Sequence, residues 1–469
     1  MSIERNIFDI ALNSTQWSLD QSNAEIALRT YIDHANSAIA VLGPCGSGKS
    51  TLFDHVFSDT NRKKWLMGDD LKRRRLVTKP DDYAVNSQNN EGAVQLLFDK
   101  IKETCQEFVT ILEAEKNAET TAPDPQYIKK RDEIIADLKQ ASGIEPDKTG
   151  VGDAIEKLVE ALGRNKENDF KYDVYIVLKG FEKFILPKID LEDQDAIDQD
   201  ISIHATLNTL LYNSELPLHL IVSTDYNVVW QGGTSTHEKK TLSNIGGQYV
   251  HTGSKLLVNM GQALVRMQNW NNEACKNLLM SVQKECSAEE TISINTAGIG
   301  FRKGMEWSGG NPSLLLSYYS AAYGYIKKGG AFDIEREVFR DAGAIAATYL
   351  ETWCSHLDKL EKEYLKSLLK WLTLSEELTN VRAELEEIAN SLSIFKKRTL
   401  NSRQEQLENE RMLLNSKMDN NVYRTAAARL SDRGFLKSVQ NQVKLLDSYD
   451  FPCLAIRNYL EQNPATLGE

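Results

Sequence analysis

No CxxC pair occurs in this sequence, and its six cysteines (Cys45, Cys105, Cys275, Cys286, Cys354, Cys453) are scattered. The seven histidines do not join them at metal-ligand spacing. That excludes a zinc finger or a disulfide frame and fits reduced thiols in a cytosolic or nuclear protein. No apolar run reaches the roughly 20 residues that a membrane span needs, so no membrane partner is expected. The opening stretch MSIERNIFDIALNSTQWSLDQ lacks a basic segment leading into an apolar core, so no signal peptide is expected. Basic charge is the scarcer sign: 55 Lys and Arg stand against 67 Asp and Glu, for a net charge of -12. Such a chain is not coated in nucleic acid, although a local basic surface remains open to it. At 469 residues the chain exceeds one core and implies two or three domains, with no fixed-period repeat.

What is present reads first as alternating helices and strands. DQSNAEIALRTYIDHAN predicts an amphipathic helix over about 23–34, and SAIAVLG follows as a short buried strand. GPCGSGKS turns that strand into a helix, KSTLFDHVF. The basic stretch MGDDLKRRRLVTKPDDYAVN reads as loop. The helix NEGAVQLLFDKIKETCQEFVTILEAEK leads into a charged insertion, about 117–148, with one solvated helix inside it. AIEKLVEALG is again helical, DVYIVL is a second continuous apolar strand, ISIHATLNTLLYNSE a helix, and LPLHLIVST a third strand. Strands apolar on both faces, alternating with helices, imply a parallel sheet covered on both sides, an α/β domain placed over 1–252.

The character then changes. LLVNMGQALVRMQNW, NEACKNLLMSVQKEC, NPSLLLSYYSAAYGYIKK and IEREVFRDAGAIAATYLETWCSHL all read as helices and predict a helical domain over 253–355. In the last third, KEYLKSLLKWLTLS and LTNVRAELEEIANSL read as two core helices; their apolar pattern holds for too few heptads to argue a coiled coil. NVYRTAAARLSDRGFLKSV holds a helix ending at Gly434, FLKSVQ and QVKLLD read as strands, and FPCLAIRNYLEQN closes as a helix. Three helices and a two-stranded wing are the order of a winged helix-turn-helix domain, placed over 356–469.

GPCGSGKS, residues 43–50, matches the phosphate-loop pattern GxxxxGK[ST] in full, between an apolar strand and a helix. Gly43, Gly46 and Gly48 let the backbone curl so that successive N–H groups face an anion. The helix starting near Lys49 adds its positive end. Lys49 is placed to reach the β- and γ-phosphates and Ser50 to ligate Mg²⁺. The expected ATP contacts are Gly43, Pro44, Cys45, Gly46, Ser47, Gly48, Lys49, Ser50 and Thr51, joined by Thr224 at the end of LIVST. Cys45 reads as a small residue at a variable position, with a redox switch as the alternative.

A phosphate-loop ATPase needs an acid at the end of its second strand to hold Mg²⁺, and often a Glu to activate water. Here YIVL runs into Lys179 and Gly180. Lys179 cannot ligate a metal, though its ammonium is able to add positive charge near the phosphates. Glu182 reads as a surface charge on the following turn, and Ser223 and Thr224 as either a phosphate contact or a turn. Nucleotide binding is expected, with the equipment for hydrolysis stripped, and no catalytic residue is assigned.

AVLGPCGSGKSTL, YIVLKGFEKF, ISIHATLNTLLYNS, LHLIVST and the terminal winged helix together resemble the AAA+ initiator family, to which subunits of the eukaryotic origin recognition complex belong. The resemblance covers most of the chain in patches. The family's second strand ends in Asp-Glu-Phe-Asp-x-Phe; KGFEKF keeps Phe181 and Phe184 in register and replaces both leading acids. The run from NNVYRTAAARLSDRGFLKS to FPCLAIRNYLEQNP is similar to the family's last winged-helix helix, wing and closing helix. The resemblance implies an AAA+ domain, a helical lid and a winged helix, a hetero-oligomeric ring, double-stranded DNA as partner, and a nuclear location. It also implies an arginine finger within EKKTLSNI, residues 238–245, where Lys240 and Asn244 stand instead, with Lys239 and Lys240 as the local cations. The lid-helix arginine of the family is replaced by Ser313 in GNPSLLL.

Residues 394–444 carry eleven Lys and Arg against five Asp and Glu, a local charge of about +6 in an acidic chain. FKKRTLNSRQ reads as a loop bearing Lys396, Lys397, Arg398 and Arg403. The recognition helix carries Arg424, Arg429 and Arg433, with Val422, Ala426 and Leu430 facing the core. Lys437 and Lys444 fall on the wing. This pattern suits phosphate contacts that do not read sequence. Two rivals stand beside the DNA-binding subunit: an active ATPase or switch with unusual acids, and a signalling NTPase whose C-terminal domain binds protein.

Overall fold

The computed structural model describes residues 22–34, 38–68, 73–82, 90–118, 124–146, 151–180, 216–224, 263–267, 270–285, 299–327, 335–355, 357, 359–388, 394–432, 434–439 and 448–468. Two compact units emerge. Of the described residues, those within 22–43 and 48–267 make one, and 44–47 with those within 270–468 make the other.

The first unit is built on a parallel sheet. Its strands are β1 (Ala38–Leu42), β2 (Arg74–Val77), β3 (Asp81–Asp82), β4 (Tyr172–Lys179), β5 (Leu218–Thr224) and β6 (Ala263–Arg266). The order across the sheet is β2-β4-β5-β1-β6, with β3 also pairing to β4. All of these pairings are parallel. Strand alternation sorts the apolar residues into two cores. Ala40, Leu76, Val174, Ile176, Leu178, Leu220 and Val222 face one side, and Ile39, Val41, Val77, Tyr175, Val177, Ile221 and Val265 the other.

Helices α1 (Ser22–Asp33), α2 (Lys49–Val56) and α3 (Asp59–Met67) bring Leu28, Ile32, Phe53, Val56 and Trp65 to the second face. Helices α4 (Asn90–Ala118), α5 (Pro125–Ser142) and α6 (Val151–Ala161) cover the first. On α4 the buried residues Val94, Leu97, Phe98, Ile101, Cys105, Phe108 and Leu112 recur at three- and four-residue steps, one apolar stripe. The buried guanidinium of Arg62 ties α3 to this layer. It donates to the Val77 carbonyl at 2.8 Å, to Glu107 at 2.9 and 3.2 Å, and lies over the Phe108 ring.

Three readings of this unit change. The basic stretch taken as loop contains β2 and β3, which follow one another along the edge of β4, with Pro80 between them lacking a donor for the ladder. The insertion helix is not solvated: α5 buries Arg131, Ile134, Ile135, Leu138 and Ala141 against α4 and α6. The first stretch read as lid helix contains strand β6, paired with β1. A short strand buried on both faces is a plain apolar run, which periodicity cannot tell from a buried helix.

The second unit is helical: α7 (Asn272–Glu285), α8 (Ile299–Ser308), α9 (Pro312–Lys327), α10 (Glu335–Ser355), α11 (Lys359–Glu387), α12 (Ile394–Met418), α13 (Asn421–Asp432) and α14 (Leu454–Gln462). Antiparallel strands β7 (Lys437–Val439) and β8 (Ser448–Asp450) lie between the last two. The two helices expected within 362–392 are continuous as far as Glu387, in α11. FKKRTLNSRQ, expected as loop, is the beginning of α12. Leu374, Leu378, Val381 and Leu407 form the seam between these helices, flanked by Leu385, Leu400 and Leu414. Ion pairs Arg382–Glu408 (2.7 Å) and Arg403–Glu377 (2.6 Å) bridge the two helices of this hairpin. Ala426, Ala427 and Leu430 of α13 are buried, as the expected stripe required for Ala426 and Leu430, while Val422 is half-buried. Helix α14 packs on α10 and α8, which joins the last third to the middle third. The stretch QVKLLD and the helix expected over 201–215 lie outside the described residues, as do Glu182, Lys239, Lys240, Asn244, Arg433 and Lys444.

Candidate functional site

The loop 43–50 leaves the carboxyl end of β1, an inner strand flanked by β5 and β6. The chain goes from β1 to the far edge, returns through β4 and β5, and then crosses to β6 on the other side. Such a reversal opens a crevice at the carboxyl ends of the strands, where open α/β sheets bind ligands.

Gly46 (φ 72°) and Gly48 (φ 95°) both take the left-handed backbone that curls the loop. Gly48 caps α2 without a side chain, and the first intrahelical bond runs from Leu52 N to Gly48 O. The amides of residues 48–51 therefore come ahead of the helical ladder, at the positive end of the dipole. Lys49 lies back along the loop and donates from Nζ to the Gly43 carbonyl at 2.6 Å. Ser50 is exposed, and Ser47 Oγ is buried with no hydrogen-bond partner among the described residues.

Residues 44–47 group with the helical unit, whose side chains donate to three of their carbonyls. Asn311 Nδ2 donates to Cys45 O at 2.7 Å, Ser313 Oγ to Gly46 O at 3.5 Å, and Trp270 Nε1 to Ser47 O at 3.2 Å. Asn311 also caps α9, its Oδ1 accepting from Leu314 N, with Pro312 as the first helical residue. A Cβ added to Gly46 would sit 2.2 Å from the Tyr349 hydroxyl, so only glycine fits there. Burial, with the Cys45 thiol beside it, raises the Tyr349 phenol far above its ordinary value, so it stays a neutral hydroxyl.

At the end of β4 the Lys179 ammonium is paired with Asp54 of α2. It does not stand as a spare cation beside the loop. Asp54 lies one turn beyond Ser50, so the pair clamps the loop's own helix to the strand where a metal-handling acid would project. Gly180 N donates to Ser223 Oγ at 3.2 Å, giving Ser223 a role in linking the ends of β4 and β5. Thr224 ends β5 opposite Leu42 in the register, beside the start of the loop. Among the described residues no group of three His, Cys, Asp or Glu side chains is placed to hold a metal. Asp54, Trp270, Asn311 and Tyr349 were not singled out by sequence. Asp54 has a faint signal in its i+4 spacing from Ser50, and Asn311 in its place before a proline.

The basic residues are dispersed. Lys396, Lys397 and Arg398 are exposed in the first turn of α12, beside an 84% exposed Phe395. Three cations at a helix N-terminus oppose the dipole, a cost that favours an anionic partner there. Arg403 is instead engaged by Glu377. Arg424 and Lys437 are exposed, and Arg429 lies on α13.

Of the five described cysteines Cys45 is half-exposed and the rest are buried. Burial pushes the Cys105 and Cys275 thiols up to about 12 and Cys453 up to about 11, which suppresses their thiolates at neutral pH. In a Cys286→Ser background, native alkylation is expected at Cys45 alone, and Mg·ATP is expected to slow it. Mass mapping of the label checks both points; equal labelling with and without nucleotide contradicts the loop as the binding site.

No protein-family model matches the chain, and no curated protein matches it. Fold and site define a protein with a parallel-sheet α/β unit followed by a helical region.

Proposed function

We propose that the chain is an ATP-binding, hydrolysis-deficient AAA+ subunit of a DNA replication origin recognition complex, nearest in pattern to subunit 4. The observation that carries this reading is the charge arrangement at the end of β4. The glycine loop is complete, yet Lys179 paired to Asp54 stands where an acid for Mg²⁺ would be needed.

The loop fits ATP. Its left-handed glycines, uncapped helix start and orphaned Ser47 hydroxyl suit phosphate oxygens. Mg²⁺ would be held by Ser50 and the phosphates, and its chemistry there is charge neutralisation. Bound ATP then acts as packing within a hetero-oligomeric ring. The last elements, α11 to α14 with β7 and β8, supply the winged helix of this reading, in a nuclear protein that binds double-stranded DNA.

DNA contact is assigned to the basic start of α12 and the exposed Arg424 and Lys437, with Arg403 holding the hairpin. Reversing charge at Lys396, Lys397 and Arg398 together is expected to weaken binding to unrelated duplexes alike. It should also flatten the slope of log K against log salt by about three units. Fluorescence anisotropy across a salt series measures this. An unchanged slope would remove these residues from the interface and favour the protein-binding rival.

A further inference from the structure

Two side chains outside the glycine motif, Trp270 and Asn311, act on the loop that carries it. The stretch SGGNPS, residues 308–313, builds their placement. At the end of α8, Gly309 (φ 58°) and Gly310 (φ 80°) take left-handed backbone. A Cβ on Gly310 would sit 2.1 Å from the Trp270 carbonyl oxygen, so the turn comes up directly against Trp270. There the Trp270 N–H donates to the Gly310 carbonyl at 2.7 Å. The next residue after this contact is Asn311, and both side chains belong to buried residues.

Each holds one carbonyl of the loop. Asn311 Nδ2 donates to Cys45 O at 2.7 Å, and Trp270 Nε1 donates to Ser47 O at 3.2 Å. A carbonyl and the N–H of the following residue share one planar trans peptide and point in opposite directions. Fixing Cys45 O therefore aims Gly46 N–H away from Asn311. Fixing Ser47 O aims Gly48 N–H away from Trp270. The peptide between these two is used within the loop, where Ser47 N donates to Pro44 O at 3.1 Å. Gly46 N–H and Gly48 N–H donate to no described group. The buried Ser47 hydroxyl, between them in the chain, also lacks a described hydrogen-bond partner.

Backbone amides that alternate with left-handed residues and have no partner of their own are the donors that an anion takes. In a slack loop, binding would first have to order them. Here two peptide planes are held before any ligand arrives, and donors ordered in advance bind more tightly. We infer that Asn311 and Trp270 are positioning residues for phosphate binding: they fix the two peptide planes whose amides, at Gly46 and Gly48, receive the anion. Neither side chain touches the phosphate. This role rests on the nucleotide reading of the loop and is independent of DNA binding. Asn311 has a second task, since its Oδ1 caps α9 by accepting from Leu314 N. A variant that tests positioning must leave that cap in place.

Asn311→Ser keeps a capping hydroxyl for α9 but is too short to hold Cys45 O. Trp270→Phe keeps an aromatic ring and loses the donor. In calorimetric titration of the full chain with Mg·ATP, each is expected to weaken binding by about three- to tenfold, the effect of one lost hydrogen bond. The peptide plane itself is read by NMR. Cys45–Gly46 is the one Cys–Gly peptide in the sequence, so labelling with carbonyl-13C cysteine and 15N glycine isolates the Gly46 amide signal. That signal should shift when Mg·ATP is added to the wild-type chain. In Asn311→Ser it should be displaced before any nucleotide is added. A wild-type chain that binds ATP while its Gly46 signal stays put overturns the inference and leaves the nucleotide reading standing. So do folded variants that bind ATP as tightly as wild type. Should one variant fail to fold, the other and the wild-type signal decide. A wild-type chain that binds no ATP overturns the nucleotide reading and the positioning role together.

Discussion

Replacing Lys49 by alanine is expected to strip the purified protein of nucleotide. In the structure Lys49 Nζ holds the Gly43 carbonyl at 2.6 Å, folded back across its own loop. A triphosphate offers the same ammonium a charged acceptor instead of a neutral one. A hydrogen bond to a charged group contributes about 1.5–3 kcal/mol, so its loss should lower ATP affinity by about 10- to 100-fold. Lys49→Arg should not restore it, because a planar fork does not replace a compact ammonium in a tight loop. The fold itself should survive, since α2 is held by Leu52, Phe53 and Val56 and not by Lys49. The check is chromatographic nucleotide content together with titration of a fluorescent ATP analogue. Undiminished content in Lys49→Ala would place the nucleotide elsewhere.

The second large effect is expected at Lys179. Its side chain is 15% exposed and that of Asp54 28%, so the pair is largely shielded from water. Breaking a fully buried pair costs about 3–5 kcal/mol because one charge is left unmatched; the partial exposure here lowers that to about 2 kcal/mol. Lys179→Ala should therefore lower the unfolding midpoint by several degrees, while ATP turnover stays at its low starting level. Asp54→Ala should do the same, and the double variant should lose less than the sum of the two. A thermal melt of the four proteins gives the coupling directly. Additive losses would mean that the pair does not clamp α2 to β4.

The sequence displayed the part of the site whose chemistry is local. A glycine loop between a strand and a helix is set by nearest neighbours, and β1, β4 and β5 are apolar runs long enough to read. Other features needed tertiary partners. β6 is four residues whose strand character comes from pairing with β1. The apolar face of α5 is interrupted by the buried Arg131, whose guanidinium lies over the Tyr127 ring, so by composition the helix looked solvated. The long α12 has few apolar residues, and its helicity is supported by pairing with α11 through Leu407 and the Arg403–Glu377 contact. Lys179 was visible at the end of the β4 run, but its partner was not. Asp54 is separated from it by 125 residues, and an acid on an amphipathic helix ordinarily reads as a solvated charge.

The most direct measurement is nucleotide retention set against phosphate release. The protein, loaded with Mg·ATP and freed of excess, is incubated for hours while bound nucleotide and free phosphate are followed together. With no acid among the described residues at the end of β4 to orient Mg²⁺ or polarise water, hydrolysis should run slower than in an equipped site by a factor on the order of 10² or more. The expected result is ATP that stays bound and intact, with wild type and Lys179→Ala alike in phosphate release. Brisk phosphate release by the wild-type chain that disappears in Lys49→Ala would contradict a structural role for the nucleotide. It would identify a working ATPase whose acid lies outside the pair of Lys179 and Asp54.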